Sequence, residues 1–175
     1  LLTQDGPSGG VEDVLAWIRR RNEEVSVKVT PVPFQALKEW SFHPLTGNLC
    51  HKTGKFFSIE GIRVVVDDGM RREWAQPIIN QPEVGFLGIL TKIIDGTLCF
   101  LMQAKIEPGN LNYVQLSPTL QATRSNYTQV HQGRKPLYLG FFHNAQSSTI
   151  LLDQLQSEQG SRFLRKRNRN IVILT

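Results

Sequence analysis

The sequence predicts an α+β domain, and three observations carry the prediction. A helical apolar pattern stands near the start, strand-length apolar segments fill most of the remainder, and Gly-containing turn pairs punctuate them. Val11, Val14, Leu15 and Ile18 fall at helical spacing, and Arg19 to Arg21 follow them, cations suited to a helix C-terminus. Val25, Val27 and Val29 alternate with polar residues and predict a strand ending at Pro31. FQALKEW, from Phe34 to Trp40, predicts a helical turn. Between His43 and Val66 two turn signals, Thr46-Gly47-Asn48 and Thr53-Gly54, separate strand-like pieces, and Asp67-Asp68-Gly69 marks a further turn.

Asp95-Gly96 lies between two apolar runs and predicts a hairpin. The runs are apolar almost continuously, which predicts cover on both faces of both strands. Glu107-Pro108-Gly109-Asn110 ends the second strand, and residues 111–123 form an extended piece broken at Pro118. Residues 124–135 and 136–145 predict short helices. Residues 149–160 predict a strand with Leu151, Asp153 and Leu155 on one face and Gln154, Gln156 and Glu158 on the other. Residues 161–170 predict a loop or helix, and Ile171–Leu174 a closing strand.

With 175 residues, 40% hydrophobic and 20% charged, one domain with a sizeable core is expected. Residues 1–10, rich in Gly, Ser and Pro and without Met, are expected to be a flexible leader on a trimmed end; residues 11–175 form the single unit. Net charge is +5, but Arg162, Arg165, Lys166, Arg167 and Arg169 carry that excess in one short segment and leave the rest about neutral. A nucleic-acid groove spreads its cations, so no nucleic-acid partner is expected. Cys50 and Cys99 form no metal-type pair and predict reduced thiols in a cytoplasmic protein. No stretch reaches membrane-spanning length, no signal-peptide pattern opens the chain, and no membrane partner is expected.

The residues 103–110, QAKIEPGN, raise the functional question. In a strand, Gln103, Lys105 and Glu107 share the face opposite Met102, Ala104 and Ile106. Gln154, Gln156 and Glu158 repeat the pattern, and Gln76, Gln81, Gln115 and Gln121 stand near other strand ends. Such a face is either a wetted outer surface or the lining of a polar pocket. Glutamine both donates and accepts hydrogen bonds, which suits a ligand rich in hydroxyls.

Four blocks carry a family resemblance: TGNLCHKTGKFFSIEGIRV, QPIINQPEVGFLGIL, DGTLCFLMQAKIEPGNLNYVQLSPTLQATRSNYTQVH and LQSEQGSRFLRKRNRN. Together they cover most of the chain from Trp40 onward, and they resemble the NDP-hexose 2,3-dehydratases of deoxysugar biosynthesis. The resemblance implies a cofactor-independent lyase that removes water across C2 and C3 of a dTDP-4-keto-6-deoxyhexose. It also implies a divergent Nudix-like mixed sheet packed with helices. MRREWAQP holds Arg72-Glu73 but lacks the downstream glutamates and glycine of a magnesium-binding Nudix helix, so no metal is expected. Family enzymes carry two related repeats, and this chain is one repeat long, resembling the first. The expected assembly is a homodimer or a pairing with a second repeat.

The implied chemistry is β-elimination from a ketone. It needs a base for the C3 proton, an electrophile at the C4 oxygen and a proton donor for the C2 hydroxyl. Glu107 is the candidate base, against the reading of an exposed carboxylate. Lys105 is the candidate electrophile, against a salt bridge to Glu107 or Glu158. Tyr127 is a candidate donor, against a packed ring with a wet hydroxyl, and Glu158 is the alternative acid or base. His51 and His131 titrate in a useful range, although a lone surface histidine is the commoner case. Arg124, Arg165, Lys166 and Arg167 are candidates for the diphosphate, against a solvated charged face. Trp74 is the candidate for stacking on thymine, against a core role; Gln103, Gln121 and Asn126 are candidates for sugar hydroxyls. Two competing readings remain: a binding or dimerisation half without activity of its own, and a nucleic-acid module built on the basic segment.

Overall fold

The computed structural model describes residues 10–123, 136–146 and 149–175. Helix α1 (Val11–Glu24) forms where the periodicity places it, with Glu12 and Asp13 in its first turn and Arg21 in its last, both favourable to the helix dipole. None of its residues is buried. It is tied to the sheet by Asn22, whose amide Nδ2 donates to the Val114 carbonyl at 2.9 Å while its Oδ1 accepts from the Val114 N–H at 2.9 Å. One side chain thus satisfies both backbone groups of a strand residue. The strand expected at Val25–Val29 does not form. Alternation alone builds no ladder: the segment pairs with no neighbouring strand, and Val29 stays exposed.

A 3-10 turn (Phe34–Ala36) leads into a four-stranded antiparallel sheet of β1 (Trp40–Phe42), β2 (Leu49–His51), β3 (Ser58–Val66) and β4 (Arg72–Asn80), in that spatial order. Arg72 and Glu73 lie on strand β4, not on a helix. A second, mixed sheet holds β5 (Gly85–Ile94), β6 (Thr97–Ile106), β7 (Val114–Pro118), β8 (Leu120–Ala122), β9 (Ile150–Ser157) and β10 (Arg167–Leu174), with the short helix α2 (Leu139–His143) packed on it. Its order is β7-β6-β5-β10-β9, with β8 also on β5. Asp95 (φ 49°) and Gly96 (φ 76°) both take the left-handed conformation that a two-residue hairpin turn requires. β5 and β10 run parallel; the other pairs are antiparallel. The closing strand begins already at Arg167, so the basic segment is half loop and half strand.

The core lies over β5 and β10: Leu90, Leu120, Ala122, Leu139, Phe142, Ile171 and Ile173. Gly88 is needed here, because a Cβ on it would lie 2.4 Å from Cε1 of Phe142. The expected cover on both faces holds poorly for β6, where Leu98, Phe100, Leu101 and Met102 remain exposed. The core cluster sits over the middle of the sheet, and β6 runs beyond it. The two sheets are joined through the β9–β10 loop. Ile79 N–H donates to the Arg162 carbonyl at 2.8 Å, Leu164 N–H to the Ile79 carbonyl at 2.9 Å, and the Gln76 amide to the Ser161 carbonyl at 2.8 Å.

One edge of β5 is shared by two strands. Its second half pairs with β6, from Leu90 opposite Leu101 to Ile94 opposite Thr97. Its first half pairs with β8, from Phe86 opposite Ala122 to Gly88 opposite Leu120. Beyond Leu101, β6 departs and pairs with β7. Thr119, buried, sits at this fork: its hydroxyl accepts from Leu90 N–H at 3.0 Å and donates to the Leu101 carbonyl. The gap that the fork opens is bridged by Lys105 of β6 and Gln121 of β8.

Candidate active site

Lys105 and Glu107 lie at the departing end of β6 and just past it, and face Gln121 of β8 across the fork. Glu158 follows β9, while Lys166 and Asn168 flank the start of β10. These six side chains line one cavity of about 390 Å³, with Gly85, Phe86 and Leu87 of β5 and Phe163 of the β9–β10 loop also in its wall. A volume of this order suits a small polar ligand.

The cavity's groups are cross-linked. Lys105 Nζ lies 2.8 Å from Glu107 Oε1 and donates to Gln121 Oε1 at 2.9 Å. Gln121 Oε1 also accepts from the Ser117 hydroxyl at 3.2 Å. The ion pair is half exposed, so its contribution to stability is small, and its weight lies in aiming an ammonium into the gap. Glu158 is held differently. Its Oε1 accepts from the Asn168 amide, whose Oδ1 in turn accepts from Gly85 N–H at 3.1 Å. The Glu158 N–H donates to the Lys166 carbonyl at 2.9 Å. Lys166 is 5% exposed, and its ammonium donates to the Glu83 carbonyl. Burial lowers its pKa, opposed by the charges of Glu83 and Glu158. Two carboxylates, an aimed ammonium and amides that both donate and accept can serve a proton transfer and stabilise a negative oxygen.

A second cavity, of about 630 Å³, adjoins the first and shares Glu158, Phe163 and Lys166 with it. Arg165 and Arg167 line it, both exposed, and Arg165 takes a left-handed conformation (φ 50°) that turns the loop between them.

The structure therefore brings together Lys105, Glu107, Gln121 and Glu158 in one cavity, with Arg165 and Arg167 next door. It does not bring Gln103 or Trp74 there. The Gln103 amide donates to the Pro118 carbonyl at 2.8 Å, bracing β6 against β7. Trp74, on β4 and 45% exposed, donates from Nε1 to Gln76 Oε1 at 2.9 Å, so it is neither core nor part of either cavity. His51 lies in the smaller sheet, between Glu39 (3.3 Å) and Thr53 (2.9 Å) and against the rings of Trp40 and Phe56, and lines neither cavity. Arg124, Asn126, Tyr127 and His131 lie outside the described residues. Asn168 was missed by the sequence reading. Strand alternation across Arg167, Asn168 and Arg169 would have turned it away from its two arginine neighbours. Among the described residues no group of three or more His, Cys, Asp or Glu is placed to hold a metal ion. Among them, too, no helix is long and apolar enough to cross a membrane.

Two carboxylates at the fork of a mixed sheet, beside a hollow lined by Arg165 and Arg167, make up the candidate site. The family model described as NDP-hexose 2,3-dehydratase matches residues 11–175, and the chain belongs to that family. It is 51% identical over 178 residues to a dTDP-4-dehydro-6-deoxy-alpha-D-glucopyranose 2,3-dehydratase of Amycolatopsis orientalis, an overlap covering 99% of this chain and 38% of that protein. A protein of the same name from Saccharopolyspora spinosa is 54% identical over 157 residues, covering 90% of this chain and 32% of the relative. Another from Streptomyces violaceoruber is 48% identical over 161 residues, covering 91% and 36%. The chain thus spans about a third of the length of these curated relatives.

Proposed function

We propose that the chain takes part in 2,3-dehydration of a dTDP-4-keto-6-deoxyhexose, with the fork cavity as the hexose site. The observation that carries this reading is the convergence of Lys105, Glu107, Gln121 and Glu158, from three separate segments, on one half-open cavity. The C4 carbonyl acidifies the C3 proton. A carboxylate, Glu107 or Glu158, takes that proton, and the electron pair moves into an enolate. The Lys105 ammonium faces the C4 oxygen, where negative charge grows; one such donor is typically worth about 3 kcal/mol. The C2–O bond then breaks, and the hydroxyl leaves as water on receiving a proton. Gln121 meets sugar hydroxyls. The diphosphate lies in the adjoining cavity against Arg165 and Arg167, whose forked guanidinium groups match phosphate oxygens. The mixed sheet is read as a divergent Nudix-type unit, the protein as cytoplasmic, and the assembly as a homodimer or a pairing with a second repeat.

A second reading follows from the coverage of 32% to 38% of each relative: a nucleotide-sugar-binding half that turns over only beside a further repeat. One experiment separates the two. The chain is incubated with dTDP-4-keto-6-deoxyglucose and a 3-ketoreductase trap in deuterated buffer, and mass spectrometry follows water loss and deuterium at C3. Loss of water supports the enzyme. Binding of the substrate without water loss or exchange supports the dependent half. Folded chain that neither binds nor exchanges refutes both.

A further inference from the structure

We infer that Asn168 is a positioning residue, which clamps one oxygen of Glu158 so that the other is presented to the cavity as the proton-accepting carboxylate. The inference rests on the reading of the fork cavity as the hexose site and assigns, between its two carboxylates, which one acts as base.

The argument begins with the amide's two unlike ends. A backbone N–H needs an acceptor, and Gly85 N–H, buried at the start of β5, points at Asn168 Oδ1 from 3.1 Å. That fixes which end of the amide is oxygen. The donor end must then face the other way, and there it meets Glu158 Oε1. Asn168 is itself 8% exposed, so it has no room to turn to solvent. Gly85 also fits the arrangement, because a Cβ on it would come within 3.0 Å of Asn168 Oδ1. The result is a carboxylate with one oxygen tied and, among the described residues, one without a hydrogen bond, on a half-buried residue in the wall between two cavities. Glu107 is also tied through one oxygen, but its Oε1 meets a cation, the Lys105 ammonium, which also reaches Gln121, whereas the partner of Glu158 Oε1 is a neutral amide.

The charged groups around Glu158 come from every side. Lys166, buried, precedes β10, Lys105 and Glu107 stand on the β6 side, and Arg165 and Arg167 face the adjoining cavity. In this setting an amide donor holds Glu158 without adding a charge, and it sets the direction in which the second oxygen points.

The test uses the 175-residue chain with ¹³C-labelled glutamate and ¹⁵N-labelled asparagine side chains. In the wild type, the Asn168 amide signals should shift with pH at the midpoint of the Glu158 carboxyl signal, which Glu158→Gln identifies by its loss. Asn168→Asp keeps the acceptor for Gly85 and replaces the donor with a second anion. The Glu158 midpoint should rise by about one pH unit or more. With exchange-competent chain, C3 deuterium exchange should fall at least tenfold with KM changed less than threefold, Glu158→Gln should lose about 10²-fold or more, and Glu107→Gln should lose less than Glu158→Gln. Asn168 signals that ignore the Glu158 titration overturn the inference, even if Asn168→Asp fails to fold. So does Asn168→Asp with wild-type midpoint, or Glu107→Gln losing more exchange than Glu158→Gln. Wild-type chain without exchange but with the coupled titration refutes turnover by the single chain and leaves the clamp standing.

Discussion

Thr119→Val tests whether the fork in the larger sheet is held by one hydroxyl. Valine matches threonine in shape and strand preference, so packing and backbone preference change little, and what is lost is the hydroxyl. In the native chain it serves two backbone groups, the buried Leu90 N–H at 3.0 Å and the part-buried Leu101 carbonyl, on strands that part company at that point. Thr119 is 5% exposed, so water does not readily replace it. Each buried group left without a partner costs about 1–3 kcal/mol. The Leu101 carbonyl is part-buried and can turn to water, so the expected loss is about 1–3 kcal/mol. That is a large part of the roughly 5–15 kcal/mol of stability typical of a folded domain. Urea titration by circular dichroism should show a lower midpoint with an unchanged slope. Thr97→Val, at the exposed start of β6, should stay within about 0.5 kcal/mol. A loss below about 1 kcal/mol at Thr119 would show that the fork is held by strand packing, and that the cavity's shape does not depend on this hydroxyl.

Gly88→Ala places a methyl 2.4–2.8 Å from three ring carbons of Phe142 and should cost about 1–3 kcal/mol by overpacking. Phe142→Ala should cost about 3–5 kcal/mol, and the double variant clearly less than the sum; additivity in urea titrations would refute the contact. Asp153 takes a forked pair from Arg169, Nε at 2.7 Å, and that hydrogen bond lowers its pKa. The folded chain then binds fewer protons than the unfolded one just below the ordinary carboxylate range, so the pair's stabilisation exists above about pH 4 and is lost as pH falls through the lowered value. Because both side chains are about a third exposed, Asp153→Asn should cost about 0.5–1 kcal/mol at pH 7, and thermal melts should show the difference fading toward pH 2. A difference that persists or grows in acid would refute this sign.

Local chemistry was readable where one residue decides the backbone. Asp95-Gly96 spelled a hairpin because both positions need positive φ, and α1 was readable from its 3.6-residue period. The strand pattern of Lys105 and Glu107 was readable as one polar face, and the cavity lies along it. The fork was not readable. Nothing near Thr119 states that a strand will leave one partner and the next will take the vacated edge, because that choice is made by groups 18 and 29 residues away. Asn168 was hidden for a related reason. It stands in a run of arginines that reads as a wetted surface, and the backbone group its side chain serves belongs to Gly85, 83 residues earlier. Val25–Val29 misled in the other direction, since its alternation meets no partner strand.

The parallel pairing of β5 with β10 has a kinetic consequence. Seven residue pairs join strands about eighty positions apart, and no hairpin can nucleate them. Contacts of such sequence separation slow folding, because a long loop must close before any of them is gained. The wall bearing Asn168 should therefore form late on the folding route. Until it docks, β5 presents a bare edge that invites pairing with other chains. Ligands that span the cavity should accordingly slow the unfolding of native chain and leave its rate of recovery from denaturant little changed.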